Sequence, residues 1–416
     1  MPTFSRPMSS EMPSSGARPV PSARQPMLLR LKRQALWHAG GHVMGLVVVF
    51  MLLKGSYPLE AALRWLLQAA LALAVVHLQL WRLLDQNRRP SDDRLISNLG
   101  VANAITLARG WGIALLAGWF GWYAPWAPGR YAWMAWAPGL IYLTAAAADF
   151  VDGFWARHTG TETLLGRRLD METDALGLLV AAILAVDLGR LPFFYLAAGG
   201  IYYLFRLGFW CRQQAGKASV PLRERPFARF TAGLQMGFVG IALLPEFATE
   251  ALRVAAFYFL LPLIIGFIWD WMVVCDRLNQ GVDQKWRRAL RRTGDIAAAA
   301  VRLILLASAP FTAGALLPAL PLGAGVVLAV LWLAMVLGWM GRCAALGALC
   351  LLAYRLPAGA PPLLFMAALQ IPLVLIVIGT GRWSWWRPEE QFCFRKMGRP
   401  HSGGRAGGRC FDLHSG

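Results

Sequence analysis

The sequence predicts an all-α polytopic membrane protein, and three observations carry that expectation. The chain is 57% hydrophobic and only 15% charged, too little polar surface to cover a soluble protein of this length. Apolar stretches of about 17–25 residues, each able to cross a hydrocarbon core, recur along it. Positive residues, 41 Lys+Arg against 22 Asp+Glu, gather in alternate connections. The net charge of +19 therefore reads as membrane topology and attraction to anionic lipid headgroups. No basic stripe interleaved with aromatics asks for nucleic acid, so none is expected as a partner.

Taken in order, residues 1–35 are Ser-, Pro- and Arg-rich, with no apolar core after the basic start. They read as a disordered basic cytoplasmic tail rather than a signal peptide. "LVVVFMLL" and "AALRWLLQAALALAVV" mark the first two spans, 36–53 and 60–80, and the charged linker "RRPSDDRLISN" closes a block at 36–96. Six spans follow at 100–119, 131–150, 174–189, 192–210, 229–245 and 252–274, forming a core at 97–276 that ends before the basic run "DQKWRRALRRTGD". Ala-, Leu- and Gly-rich spans at 296–317, 322–340, 342–354 and 362–380 make a four-helix module at 277–380, its third member short for a crossing. A Gly/Arg-rich tail fills 381–416. Each span reads as helix because only a helix satisfies its own backbone in lipid.

Arg and Lys crowd both tails and the segments 82–98, 157–168, 212–229 and 277–292, whereas Arg130, Arg190 and Arg253 stand nearly alone in the intervening loops. The positive-inside rule places both termini and the segment 149–174 on the cytoplasmic side. The Ala-, Arg- and Trp-rich composition suggests a bacterial inner membrane. The six cysteines show neither a CxxC pair nor metal-ligand spacing and read as packing residues. His38 and His42 stand at i, i+4, half of a metal site, but the sequence offers no third ligand nearby, so they read as interfacial histidines.

The segment "DFVDGFWARHTGTETLLGRRLDMETD" sets four aspartates between two apolar runs. Asp149, Asp152, Gly153 and Ala156 share one helical face at i, i+3, i+4 and i+7. Gly166, Asp170 and Asp174 share one at i, i+4 and i+8. Two antiparallel helices joined by "HTGTETLL" bring these stripes together. Four facing carboxylates take up protons or bind cations. Hard oxygen donors suit Mg²⁺, Mn²⁺ or Ca²⁺, and such a cluster holds two ions that clamp phosphoryl oxygens. Gly153, Ala156 and Gly166 leave room for a flat group such as a nucleotide base, and Arg157 stands where a phosphate would arrive. Glu172 faces away from the stripe, and His158 reads as a solvated loop residue. The alternative, acids that merely mark the interface, explains no matching stripe of small residues.

The spacing resembles the signature of the CDP-alcohol phosphotransferases (CDP-alcohol phosphatidyltransferases). It reads D-G-x-x-A-R, eight residues, then G-x-x-x-D-x-x-x-D, with an aspartate three positions before the first D, and every fixed position is met. "NAITLAR" (Asn103, Thr106, Arg109) resembles the opening of that family's first helix, and "RPFARFTAGLQM" a later segment; the similarity covers 97–276. The resemblance implies a six-helix core, here with two extra N-terminal and about four extra C-terminal transmembrane helices. It implies transfer of a phosphatidyl group from a CDP-linked donor, usually CDP-diacylglycerol, to an alcohol, with release of CMP, in phospholipid biosynthesis. By the same resemblance Asp149, Asp152, Asp170 and Asp174 hold two Mg²⁺ or Mn²⁺ ions, and Asp174 is also the general base. Asn103, Thr106, Gly153, Ala156, Arg157 and Gly166 lie on the nucleotide side.

Arg206, Arg212, Lys217 and Arg229 surround the next cytoplasmic loop and are candidates for a phosphorylated acceptor, although positive-inside charge alone accounts for them. Expected partners are the CDP-linked donor, a hydroxyl acceptor and membrane lipids, with pairing into a homodimer as relatives do. Two rival readings stand beside this one: a catalytically silent membrane scaffold, or a main activity in the last four spans, which faintly resemble DoxX-like four-helix proteins. Arg302 in that module is equally explained by helix packing.

Overall fold

The computed structural model describes residues 21–90, 92–121, 132–217, 226–278, 280–316, 320–354, 362–381 and 383–386. Twelve α-helices run through them: α1 Pro21–Lys54, α2 Leu59–Leu83, α3 Gly100–Ala117, α4 Ala137–Thr159, α5 Leu164–Asp187, α6 Leu196–Gln214, α7 Pro226–Ala242, α8 Thr249–Val274, α9 Gln280–Leu316, α10 Leu322–Leu337, α11 Gly341–Tyr354 and α12 Pro362–Ile378. By length and apolar composition, Arg24–Lys54, Leu59–Gln86, Gly100–Ala117, Met134–Ala156, Thr249–Val274 and Thr293–Pro310 are six helical segments able to cross a membrane. Leu322–Leu337, Gly341–Tyr354 and Ala368–Ile378 are shorter apolar helices. The protein is all-α and integral to the membrane.

The outward faces make the same point. On α2, Ala62, Trp65, Ala69, Leu73, Val76 and Leu80 form the buried stripe, while Leu63, Leu67, Leu71 and Leu78 point outward. Leu52 on α1 is 68% exposed and Phe150 on α4 is 72% exposed. Apolar side chains covering whole helix faces belong in lipid, because soluble proteins keep such patches small.

Helix α3 is the hub. It packs against α2 on one side and against α4 and α5 on the other, and α5 in turn meets α6 and α7. α9–α12 pack among themselves and meet the rest where α12 lies against α8, where Arg342 of α11 lies over the Phe230 ring of α7, and where the Ala248 N–H donates to the Ala353 carbonyl. Within that group the Arg302 guanidinium donates to the carbonyls of Val336, Thr380 and Trp383. This is the packing role the sequence allowed it.

Four helices start or stop well away from where hydropathy suggests, and one of them is α9, which begins at Gln280 rather than near 296. α1 begins at Pro21, so residues 21–35 are helical and not a disordered tail, and residues 1–20 lie outside the described residues. The stretch "MLLRLKRQAL" explains this: strong helix formers follow Pro21, which suits a first turn, and carry the helix through Pro26. α4 runs to Thr159 and α5 starts at Leu164, carrying helix past the apolar limits near 150 and 174. Charged turns can stay helical above the lipid, so hydropathy underestimates them.

Close packing fixes α5 against α6. A Cβ added at Gly199 would lie 2.4 Å from the Leu179 Cα, a backbone atom that cannot swing aside. Gly199→Val is therefore expected to destabilise the fold by about 1–3 kcal/mol through overpacking. It would appear as a lower melting temperature of the purified protein in detergent.

Candidate active site

The site forms where α4 ends and α5 begins. Gly160 closes α4 with φ +63, a left-handed C-cap that glycine adopts without a Cβ clash. Thr163 then caps α5, its Oγ1 accepting from the Gly166 N–H at 3.0 Å. With so short a connection the helices run antiparallel. The last turns of α4 thus bring Asp149 and Asp152 beside Asp170 and Asp174 on the first turns of α5. Oxygens of Asp149, Asp170 and Asp174 lie within 4.8 Å of one another.

Arg109 of α3 reaches into their midst, with a side chain only 3% exposed. Its Nη1 stands 2.9 Å from Asp149 Oδ1, 2.9 Å from Asp152 Oδ2 and 2.7 Å from Asp170 Oδ1. Nη2 donates to Asp174 Oδ1, and Nε to the Ala145 carbonyl at 3.2 Å. Asp152, the most buried of the four, also accepts from Thr106 Oγ1 at 3.0 Å. One guanidinium offsets at most one negative charge, so four ionised carboxylates around it would leave an excess that protons or further cations must offset. A crowd of hard anionic oxygens with that excess fits a divalent cation.

Beside the carboxylates lies a crevice of about 300 Å³. Asn103, Thr106, Gly153, Ala156 and Gly166 line it, with Asp152 and Asp170 at its acidic side. At Gly166 an added Cβ would come within 2.8 Å of Asn103 Oδ1, so a larger residue would crowd the crevice wall. Arg157 lies on α4, but its side chain falls outside the described residues. The volume is at the small end of ligand cavities and suits one compact polar group.

The charged linker between α2 and α3 is a wall of this crevice. Arg89, Ile96 and Asn98 line it. Asn87, fully buried, donates to the Ile96 and Asn98 carbonyls at 2.8 and 2.9 Å. The Arg88 carbonyl accepts from the Leu164 N–H at 2.9 Å, tying the linker to the start of α5. Gln34 of α1 accepts from the Leu99 N–H at 2.9 Å and so braces the start of α3.

The four candidate acceptor cations lie on α6, just after it and on α7. Arg206 of α6 pairs with Glu172 and lies over the Tyr202 ring at 5.9 Å. Arg212 donates to Cys275 Sγ at 3.3 Å, and Lys217 and Arg229 are exposed. Through Glu172, midway between Asp170 and Asp174, Arg206 is tied to α5.

Sequence reasoning missed two further groupings. His77 of α2 approaches His42, its Nε2 standing 3.1 Å from His42 Nδ1, so a third histidine does stand near His38 and His42. The Tyr142 hydroxyl, two turns before Asp149 on the same face of α4, is buried without a hydrogen-bond partner among the described residues. The histidine grouping has no local motif, since it depends on α1 and α2 becoming neighbours.

Residues 99–275 match the family model described as CDP-alcohol phosphatidyltransferase. No curated protein and no solved structure matches the chain.

Proposed function

We propose, from the premise that residues 99–275 are a CDP-alcohol phosphatidyltransferase domain, that this protein transfers a phosphatidyl group from CDP-diacylglycerol to an alcohol and releases CMP. One observation carries the reading furthest: four carboxylates converge beside a crevice lined by the small residues of the same two helices. Asp149, Asp152, Asp170 and Asp174 hold two Mg²⁺ or Mn²⁺ ions. Bound there, the ions supply charge neutralisation for the pyrophosphate.

The chain's own residues do the rest. Asn103, Thr106, Gly153, Ala156 and Gly166 seat the cytidine portion, and Arg157 meets a phosphate at the mouth. Asp174 accepts the proton of the acceptor hydroxyl as its oxygen attacks the phosphorus nearer diacylglycerol. That phosphorus loses the oxygen bridging it to the CMP phosphate, and CMP departs with the bond's electron pair. Placement within hydrogen-bond reach of the hydroxyl matters most for such a base. Arg206, Arg212, Lys217 and Arg229 draw an acceptor that carries negative charge. The site opens to the cytoplasm, where soluble head groups arrive while acyl chains stay in lipid.

On this reading the domain order is α1 and α2, a six-helix core α3–α8, and a C-terminal module α9–α12. Purified protein with CDP-diacylglycerol and a panel of alcohols is expected to release CMP only when Mg²⁺ or Mn²⁺ and one acceptor are both present. Silence across every acceptor, with the protein folded, would favour the scaffold reading.

A further inference from the structure

We propose that Arg109 is a built-in competitor of the divalent cations, a cation fixed to the chain that must give up the carboxylates before ions bind. The inference rests on the two-cation reading above and adds a control on it. Its two Nη atoms contact one oxygen from each of Asp149, Asp152, Asp170 and Asp174. Those contacts use the oxygens a divalent ion would take as ligands. A metal–carboxylate bond of about 2.0–2.2 Å leaves no space for a guanidinium donor in the same gap, and the two positive charges repel.

Arginine cannot leave by losing its charge, because the guanidinium does not deprotonate in proteins. Exchange therefore requires movement. The guanidinium is one rigid planar fork, so its Nε bond to the Ala145 carbonyl at 3.2 Å must give way together with the Nη contacts. The Arg109 side chain is also enclosed between α3, α4 and α5, with 3% exposure, and no wide solvent path loosens it. Arg109 thus does two things. It keeps four like charges from forcing α4 and α5 apart, and it sets the ion affinity below what four bare carboxylates would give. The sequence hides this role, because Arg109 stands forty residues before the first aspartate.

The test is a Mn²⁺ titration of the purified full chain, read by the electron paramagnetic resonance signal of unbound Mn²⁺. Melting temperatures are recorded in chelator and in Mn²⁺ alongside it. Arg109→Met should bind Mn²⁺ about tenfold tighter or more than the wild type. It should melt lower in chelator and gain more from Mn²⁺ than the wild type does. Arg109→Lys keeps a charge but contacts fewer oxygens, so it should tighten Mn²⁺ binding by a smaller factor, about threefold. It decides the matter if the methionine variant does not fold. Unchanged or weaker Mn²⁺ affinity in the folded variants would overturn the proposal, since a purely structural arginine lowers both melting temperatures together. A wild type that binds no Mn²⁺ would overturn the two-cation reading itself and this inference with it.

Discussion

Replacing Asp174 with Asn is expected to lower the rate of CMP release by about 10²–10⁴-fold while the protein stays folded in its membrane helices. Asparagine keeps the shape of the side chain and one oxygen able to accept from Arg109 Nη2, the contact Asp174 makes now. It cannot take a proton from a hydroxyl. The loss should therefore fall on turnover far more than on the KM for the CDP donor, because in the proposed function the donor is seated by α3 and the small-residue stripe rather than by Asp174. Rates measured with saturating donor and acceptor, next to a melting curve, separate the chemistry from the fold. A variant that turned over normally would remove Asp174 as the base.

The second large effect is expected at Asp152. It is the most enclosed of the four carboxylates, with a side chain 5% exposed, and it accepts from both Arg109 and Thr106. Outer partners of metal-binding groups are worth about 10–100-fold in affinity or activity, and a direct ligand should exceed that. Asp152→Asn should lose CMP release by more than that factor and should bind fewer Mn²⁺ ions per chain. Its fold should survive, since the asparagine still accepts from Thr106 and the cluster sheds one of its repelling charges. Full activity with undiminished Mn²⁺ binding would place the cations elsewhere.

Much of this was legible in the sequence because it is local. The two stripes of Asp149, Asp152 and Gly153 and of Gly166, Asp170 and Asp174 follow from helical period alone, and Gly160 with Thr163 marks the turn between them. The crevice residues Asn103 and Thr106 were readable only through the family resemblance, since they come from another helix. Arg109 was visible in the same motif, but its place amid the carboxylates depends on α3 packing against both α4 and α5. The linker "RRPSDDRLISN" looked like a spacer because charge and proline suggest exposure. The buried Asn87 side chain makes it a wall instead. The helical start at Pro21 was hidden because composition weighs Ser and Pro in residues 1–20 together with the helix formers that follow.

The account's central claim is the bond that forms, and following the phosphorus tests it most directly. CDP-diacylglycerol labelled at the phosphate next to diacylglycerol is incubated with the protein, Mg²⁺ and the acceptor that supports CMP release. The account predicts that the label appears in a new lipid phosphodiester bearing the acceptor, in equal amount to unlabelled CMP. Label recovered as phosphatidic acid, or released with the nucleotide as CDP, would contradict it.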